Sequence, residues 1–193
     1  MTDVNRRLVM RPGWVLLVLA LVVLGSWPGL RAWVDGVEQG RPEVRAGDLL
    51  VARPGGTGRL FAGTVVLMLA FGPERILGVV VNRPPAEEAG GADAPRWGGP
   101  VDSEHPILVA QAREAPPGTE PIGAGLYWRE GSGDWPQGAL RARTFQGYSG
   151  WAPGQLEDEI LRGSWIVRRA EAGLVFGQND RDTWLIALGE SIR

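Results

Sequence analysis

Between residues 46 and 83 the chain carries short apolar runs of strand length that are separated by segments rich in glycine and proline. Asp48–Ala52 is one such run, and Thr64–Phe71 is a longer one with several β-branched residues. The composition of Gly72–Arg75 is typical of a turn, and the apolar run Ile76–Asn82 follows it. The pattern therefore predicts that the two longer runs pair as an antiparallel hairpin with a four-residue loop.

The next part of the chain alternates between predicted strands and predicted loops. Residues 84–96 and 114–138 lack hydrophobic periodicity and contain many turn-forming residues, so both are predicted to be surface loops. Ile107–Gln111 is a predicted strand, and Leu140–Phe145 leads into the motif described next. The paired glycines of Trp97–Val101 could form a nest of amides for an anion, but close packing against another backbone explains them more simply.

The stretch Arg143–Trp165 concentrates flexible, aromatic and charged residues, and it is the predicted functional region. It begins as a strand, continues as a glycine-rich turn, and then has the composition of a helix over residues 154–162 that Gly163 ends. Helical periodicity places Asp158 outward and predicts an inward face made of Leu156, Ile160 and Leu161.

Beyond this stretch, Trp165–Arg168 and Leu174–Phe176 are predicted strands. The last predicted element is a helix over Thr183–Leu188, because Asn179, Asp180 and Asp182 are residues that commonly start helices. Its expected buried face is made of Trp184, Ala187 and Leu188.

The N-terminus has a different character. Trp14–Leu24 is uninterrupted apolar sequence, and the uncharged stretch continues to Leu30, which gives almost the length needed to cross a bilayer. The alternative is a cleaved secretory signal, for which residues 25–29 are a poor cleavage motif. We therefore predict a tail and transmembrane helix over residues 1–31, a linker over 32–45, and a globular domain over 46–193. Arginines flank the apolar run on both sides, so they do not decide its orientation.

Composition excludes several classes of chemistry. The chain has no cysteine, which rules out thiolate nucleophiles, disulfides and cysteine-bound metals. All 20 basic residues are arginine, against 22 acidic residues, for a net charge of −2. That balance gives no general attraction to nucleic acid, and a genome that favours arginine codons explains the absence of lysine.

The candidate ligand-binding residues are Asn82, Arg83, Arg143, Tyr148, Trp151, Gln155 and Glu157. Asn82 and Arg83 would lie at a strand end, where ligand contacts are common, although an ordinary turn accounts for them as well. Arg143 could hold an anion, while Tyr148 and Trp151 could stack on a ligand. Glu157 or Glu159 could act as an acid or base, but acidic residues in a first helical turn are also explained by the helix dipole.

His105 is the only histidine of the chain. One histidine cannot form a multi-histidine metal site, and its neighbours Asp102 and Ser103 are not by themselves evidence of a catalytic triad. We therefore expect His105 to lie on a surface loop, and we expect neither a metal nor a cofactor.

Taken together, these motifs resemble the AlgH/YqgE family of small bacterial proteins. The resemblance covers residues 46–190 and rests on three strings in order, Gly78-Val-Val-Val-Asn-Arg-Pro84, Gly98-Gly-Pro-Val101 and Gly147-Tyr-Ser-Gly-Trp-Ala-Pro-Gly-Gln-Leu-Glu157. It implies an α/β (α+β) domain with a folded-over, barrel-like, mostly antiparallel β-sheet and a few helices. Family members are often labelled transcriptional regulators, and the N-terminal apolar segment is an addition to the family pattern.

The sequence favours a membrane-anchored regulatory or scaffolding domain without a catalytic constellation. The alternatives are an enzyme that handles a small molecule or nucleotide with the Arg143–Glu159 region, and a DNA-binding regulator, against which the net charge argues. The expected partners are the membrane, through residues 14–30, and an unidentified protein or small ligand. The expected location is the bacterial inner membrane, and the family resemblance favours a cytoplasmic domain.

Overall fold

The computed structural model of the protein describes residues 43–84, 94–131, 133–134, 136–177 and 180–189. Its strands are β1 (Asp48–Ala52), β2 (Val65–Phe71), β3 (Ile76–Val80), β4 (Arg96–Trp97), β5 (Ile107–Ala112), β6 (Glu120–Gly123), β7 (Leu126–Glu130), β8 (Ala139–Gln146), β9 (Ser149–Gly150) and β10 (Trp165–Arg169). Its helices are α1 (Gln155–Leu161), α2 (Ala172–Val175) and α3 (Asp180–Leu188). The transmembrane segment predicted at residues 14–30 lies outside the described residues. Among those that are described, no helix is long and apolar enough to cross a bilayer.

The strands form two five-stranded sheets. The first sheet has the order β10-β1-β2-β3-β9 and the second has the order β4-β8-β5-β7-β6. All neighbouring strands are antiparallel except β4 and β8. A mixed α/β domain with mostly antiparallel strands is thus confirmed, but the described strands form two sheets and no closed barrel, which corrects the barrel-like sheet that the resemblance implied. Twisted sheets of about ten strands tend to split into two packed layers, which lets each layer bury one face against the other.

An inter-sheet core fills the space between the two sheets. Leu49, Val51 and Leu67 of the first sheet pack with Val109 and Phe145 of the second, and all five side chains are fully buried. Burying a side chain of this size stabilises the fold by roughly 1.5–3 kcal/mol. The inter-sheet core therefore stabilises both sheets at once.

The first sheet is buried on its other face as well. Leu50, Val66, Met68 and Val80 form an outer core there with Leu156 of helix α1. All five residues of β1 are buried, and after Asp48 the strand is apolar at every position instead of alternating, because both of its faces are covered. The hairpin of β2 and β3 is confirmed, because Phe71 pairs with Ile76 across the predicted four-residue turn.

Helix α1 confirms the prediction for residues 154–162. Gly154 at its start and Gly163 after its end both have positive φ, 81° and 80°, which glycine adopts without strain. Leu156 is buried, Ile160 is half-buried, and Asp158 is exposed, as predicted. Leu161 is 64% exposed, so its inward placement was wrong. Residues four apart share a helix face, and Leu161 lies about 100° away from the face of the other two.

The loop predicted over residues 114–138 is wrong, because β6 and β7 lie within it. Leu126 and Trp128 alternate with the less buried Tyr127 and Arg129, which is the two-residue period of a half-buried strand. Pro121 is tolerated in β6 because that strand lies at the sheet edge, where one side needs no ladder hydrogen bonds. The connecting turn at Ala124 and Gly125 has positive φ at both positions, as a two-residue type I′ hairpin requires.

The C-terminal part contains one wrong element and one confirmed element. Leu174–Phe176 was predicted as a strand, but residues 172–175 form helix α2. A short apolar run cannot be assigned to strand or helix by periodicity alone. Helix α3 confirms the predicted C-terminal helix, with Ala187 buried and Trp184 half-buried. The Trp184 indole Nε1 donates a hydrogen bond of 2.8 Å to the Ala52 carbonyl, which joins α3 to β1.

Candidate functional site

The segment Gly147–Trp151 lies where the chain passes back from the second sheet to the first. Its backbone pairs with Val101: Tyr148 N donates a hydrogen bond of 2.9 Å to the Val101 carbonyl, and Val101 N donates one of 3.0 Å to the Tyr148 carbonyl. A Cβ on Gly98 would lie 2.3 Å from the Gly147 carbonyl oxygen, and one on Gly147 would lie 2.5 Å from the Gly99 oxygen. The two glycine strings therefore meet, and close backbone packing, the simpler explanation of Gly98 and Gly99, is confirmed.

Tyr148 and Trp151 lie on opposite sides of this segment. Tyr148 packs against the inter-sheet core, whereas Trp151 packs against the outer core. In extended backbone, residues three positions apart point to opposite faces. The two aromatic residues therefore line two different cavities.

The first cavity, which we call the histidine cleft, has a volume of about 420 Å³. Its lining consists of Arg75, Leu77, Asp102, His105, Ile107, Trp128, Glu130 and Tyr148. Apolar and aromatic side chains share the wall with two carboxylates, an arginine and the histidine. This size and this mixture are typical of sites for small ligands.

Asp102 and His105 form a hydrogen-bonded pair at the histidine cleft, with 2.7 Å between Asp102 Oδ1 and His105 Nδ1. The hydrogen bond to Asp102, and then the charge of that carboxylate, raise the pKa of His105 above its usual value. Asp102 has φ +49°, a conformation that non-glycine residues rarely adopt. His105 is exposed on a turn, as predicted, but the sequence did not reveal its pairing, and the Asp-x-x-His spacing was the available signal.

Arg75 and Trp128 form another part of the wall. The Arg75 guanidinium carbon lies 5.1 Å from the centre of the Trp128 ring, and its nitrogens lie 3.0 Å from Glu120 and 3.7 Å from Glu130. Trp128 is 2% exposed, and its indole N–H has no hydrogen-bond partner among the described residues. An unsatisfied buried donor costs about 1–3 kcal/mol, which is a reason to look for a ligand acceptor at this ring.

The second cavity, which we call the aromatic cleft, has a volume of about 180 Å³. It is lined by Gly56, Thr57, Gly58, Phe61, Gly150, Trp151, Gln155, Glu159, Ser164 and Trp165. The Trp165 ring centre lies 5.9 Å from that of Phe61 and 6.3 Å from that of Trp151, at interplanar angles of 67° and 76°. Three rings with different orientations thus surround one small space.

The carboxylate of Glu159 accepts three hydrogen bonds from residues that line the aromatic cleft. Its Oε2 accepts hydrogen bonds from the indole N–H groups of Trp151, at 3.0 Å, and Trp165, at 2.8 Å. Its Oε1 accepts one from Gln155 Nε2 at 2.8 Å, and these two residues are four apart on one face of α1. The predicted candidates Trp151 and Gln155 are therefore brought together here, with Glu159 and Trp165 as the residues that connect them.

The predicted candidate Asn82 lies elsewhere, in the protein interior. Its Oδ1 accepts a hydrogen bond of 2.7 Å from Val65 N, and its Nδ2 donates to the carbonyls of Gly63 at 2.9 Å and Asp180 at 3.0 Å. All of these contacts are with backbone groups of the domain. Its neighbour Arg83 donates one exposed hydrogen bond to the Ala62 carbonyl.

Arg143 lies on β8 and binds the end of helix α2. It donates to the carbonyls of Val175, Phe176 and Gly177 at 3.0, 3.1 and 3.2 Å. A cation at these carbonyls complements the negative end of the helix. Burial, together with the positive charge of Arg96, lowers the pKa of Arg143 to about 10. In this geometry its donors are directed to the protein's own backbone instead of an anion.

Glu157, the last candidate, is half-buried in the first turn of α1, and its Oε2 is buried without a hydrogen-bond partner among the described residues. It lines neither the histidine cleft nor the aromatic cleft. The structure thus distributes the seven candidates over several places, and a ligand role for each of them remains a prediction.

Comparison with known proteins finds a family model described as AlgH-like (DUF179) that matches residues 49–191. A UPF0301 protein of Streptomyces avermitilis is 36% identical over 161 residues, which cover 72% of this chain and 82% of the relative. A UPF0301 protein of Chlorobium luteolum is 34% identical, over 77% of this chain and 87% of the relative.

Two solved structures share the fold, each at 22% sequence identity. One is a Corynebacterium diphtheriae protein, with a TM-score of 0.65 over 76% of this chain and 87% of that one. The other is the AlgH protein of Pseudomonas aeruginosa, with a TM-score of 0.58 over 75% of this chain and 86% of that one.

Proposed function

The chain belongs to the AlgH-like family, and from that premise we propose that it is a membrane-tethered regulatory domain that binds a small ligand in the histidine cleft. The observation that carries the ligand-binding part is the cleft itself, about 420 Å³ in volume, which joins Tyr148 and Trp128 to the Asp102–His105 pair. A ligand with an apolar body and a hydrogen-bond acceptor fits this wall, because Arg75 and His105 supply donors beside the aromatic rings of Tyr148 and Trp128. Binding would change the surface around the Asp102 turn, where a protein partner could detect it.

The tether is proposed from residues 14–30, whose uninterrupted apolarity matches a bilayer-spanning helix. The full chain should remain in the membrane pellet after carbonate extraction. A full-length protein in the soluble fraction, with its first residues present by mass spectrometry, would contradict the tether. Protease treatment of intact cells and spheroplasts then distinguishes a cytoplasmic domain from one on the opposite side.

The ligand-binding part is tested by a fragment screen on the full chain labelled with 5-fluorotryptophan, in a detergent without ammonium groups. We expect fragments that bind to shift the fluorine resonance of Trp128, which a Trp128→Phe variant assigns. Tyr148→Phe should weaken the binding of these fragments, while Tyr127→Phe should not, because Tyr127 lies on the face of β7 opposite to Trp128 and does not line the cleft. Fragments that bind while leaving the Trp128 resonance unchanged would contradict a site in this cleft.

A second candidate function is acid–base catalysis in the same cleft, which the Asp102–His105 pair favours. A carboxylate on Nδ1 orients a histidine ring and leaves Nε2 to exchange a proton with a bound substrate. If a fragment or metabolite is converted, His105→Gln should abolish the conversion while binding, read from Trp128, persists. Binding without conversion for every compound that reaches the cleft supports the regulatory role.

A further inference from the structure

We propose that the aromatic cleft binds a small alkylated ammonium group, such as that of choline. This site is separate from the histidine cleft, and the proposal does not depend on the function proposed above. It rests on three features of the cleft: the arrangement of its rings, the charge of Glu159, and the volume available.

The rings of Phe61, Trp151 and Trp165 surround the cavity in non-parallel orientations, and the hydrogen bonds to Glu159 fix both indoles. The face of an aromatic ring carries partial negative charge and attracts a cation. Several rings around one small space are the arrangement that recognises quaternary ammonium groups, whose methyl groups pack on the rings while the charge interacts with their faces. The indoles are already fixed, so little ordering of side chains opposes binding.

Among the described residues that line the cleft, Glu159 is the one with a charged side chain, and its hydrogen-bond donors are two indoles and an amide, all of which are neutral. None of the ion pairs among the described residues involves it. A partly enclosed carboxylate without a counter-ion interacts favourably with a ligand cation, more strongly than it would in bulk water. The cleft therefore carries a net negative charge that a cation would balance.

The hydrogen-bond geometry selects among cations. Both oxygens of Glu159 already accept bonds, so a guanidinium cannot form the usual pair of parallel bonds with it. A hard metal ion needs several oxygen ligands, and no group of three potential metal-binding side chains exists in the described part of the chain. An alkylated ammonium has few or no N–H groups to satisfy and needs only charge and ring faces.

The volume limits the ligand to a head group. About 180 Å³ is less than the roughly 300–1,000 Å³ of sites for drug-sized molecules. The group could belong to a free molecule or to the choline head group of a lipid, since both present the same chemistry at the cleft.

The test is a choline titration of the full chain, labelled with 5-fluorotryptophan, in a detergent without ammonium groups. We expect saturable shifts of the Trp151 and Trp165 resonances, with those of Trp128 and Trp184 unchanged. 3,3-Dimethylbutanol, the neutral compound of the same shape, should bind at least about tenfold more weakly because it lacks the charge. Equal binding of the two compounds, or no shift at the highest choline concentration, would overturn the proposal.

Glu159→Gln should weaken choline by about tenfold or more, while Glu157→Gln on the same helix changes the affinity by less than about twofold. If Glu159→Gln fails to fold, the comparison of choline with its neutral analogue still decides the matter in the unaltered protein. Nanodiscs identify the source of the group. If the Trp151 and Trp165 resonances are already shifted in phosphatidylcholine discs before choline is added, and not in phosphatidylglycerol discs, the cleft binds the lipid head group. If the resonances are the same in both kinds of disc, the cleft binds the free molecule.

Discussion

At the residue scale, the Asp102–His105 pair is the part of the histidine cleft whose charge changes near neutral pH. The raised pKa of His105 means that the pair stabilises the folded protein fully below the unfolded-state pKa, near 6.5, and that this contribution is lost as the pH rises through the folded-state value. Asp102→Asn should lower the His105 pKa in an NMR titration, because it removes the carboxylate that raises it. Glu104→Gln, which removes a more distant charge, should lower it less, and equal effects of the two substitutions would contradict a direct bond.

Asn82 shows how a single side chain can connect three parts of the backbone. Asn82→Ala would leave Val65 N and the carbonyls of Gly63 and Asp180 without this partner in the interior. We expect the free energy of unfolding, measured with urea, to fall by about 2–4 kcal/mol. The matched control is Arg83→Ala, which removes one exposed hydrogen bond and should cost less than about 0.5 kcal/mol. Similar decreases in the free energy of unfolding for Asn82→Ala and Arg83→Ala would show that the Asn82 amide does not connect these backbone segments.

At the element scale, helix α2 has only four residues and depends on its contacts with β8 for stability. Arg143→Met should release its last carbonyls, lower the free energy of unfolding by about 1–3 kcal/mol, and speed amide exchange across residues 172–177. Arg141→Met, two residues earlier on the same strand and exposed, should leave both quantities unchanged. Unchanged exchange in α2 after loss of Arg143 would mean that packing of Val175 alone holds this helix.

The elements that sequence predicted well are those with a strong local signal. Strand β1, apolar after Asp48, the hairpin of β2 and β3, and helix α1 between its two glycines follow from composition and spacing within a few residues. Strands β6 and β7 were missed because the many proline and glycine residues of 114–138 predicted a loop, and the alternating pattern within it is short. Pro121 is nevertheless compatible with an edge strand. The division into two sheets has no local signal, since it depends on which strands meet after the chain folds back.

The candidate site residues were likewise predicted only where residues that are close in space are also close in sequence. Trp151, Gln155 and Glu159 are close in sequence and also in space, because the turn leads directly into α1. Tyr148 is equally close in sequence, but the extended backbone of β9 directs it to the other face of the sheet. Its neighbours in the histidine cleft include Arg75, from the turn between β2 and β3, and Trp128, from β7, and sequence distance gives no reason to connect them with Tyr148.

At the scale of the whole molecule, residues 43–193 should fold without the proposed membrane segment, since both cores are made from residues after Pro42. A chain that begins at residue 43 should melt within about 2 °C of the full chain, measured by circular dichroism. A chain that begins at residue 46 loses Val44, which is buried in the outer core, and the bond from Arg45 N to Asp48. We expect that loss to lower the free energy of unfolding by about 1–2 kcal/mol. If only the full-length chain is stably folded, residues 1–42 are needed for folding and the prediction is contradicted.

The position of β1 between β2 and β10 determines the order in which the molecule can form during synthesis. Asp48 and its partner Arg169 are separated by 121 residues, and the strands of the second sheet are all made in the interval. Until β10 leaves the ribosome, the apolar strand β1 has one unpaired edge, which is a template for incorrect pairing with another chain. Closing such distant contacts is slow, so the protein passes through a period in which it is exposed to aggregation. The second edge of β1 is therefore covered only when the last strand of the first sheet has been made.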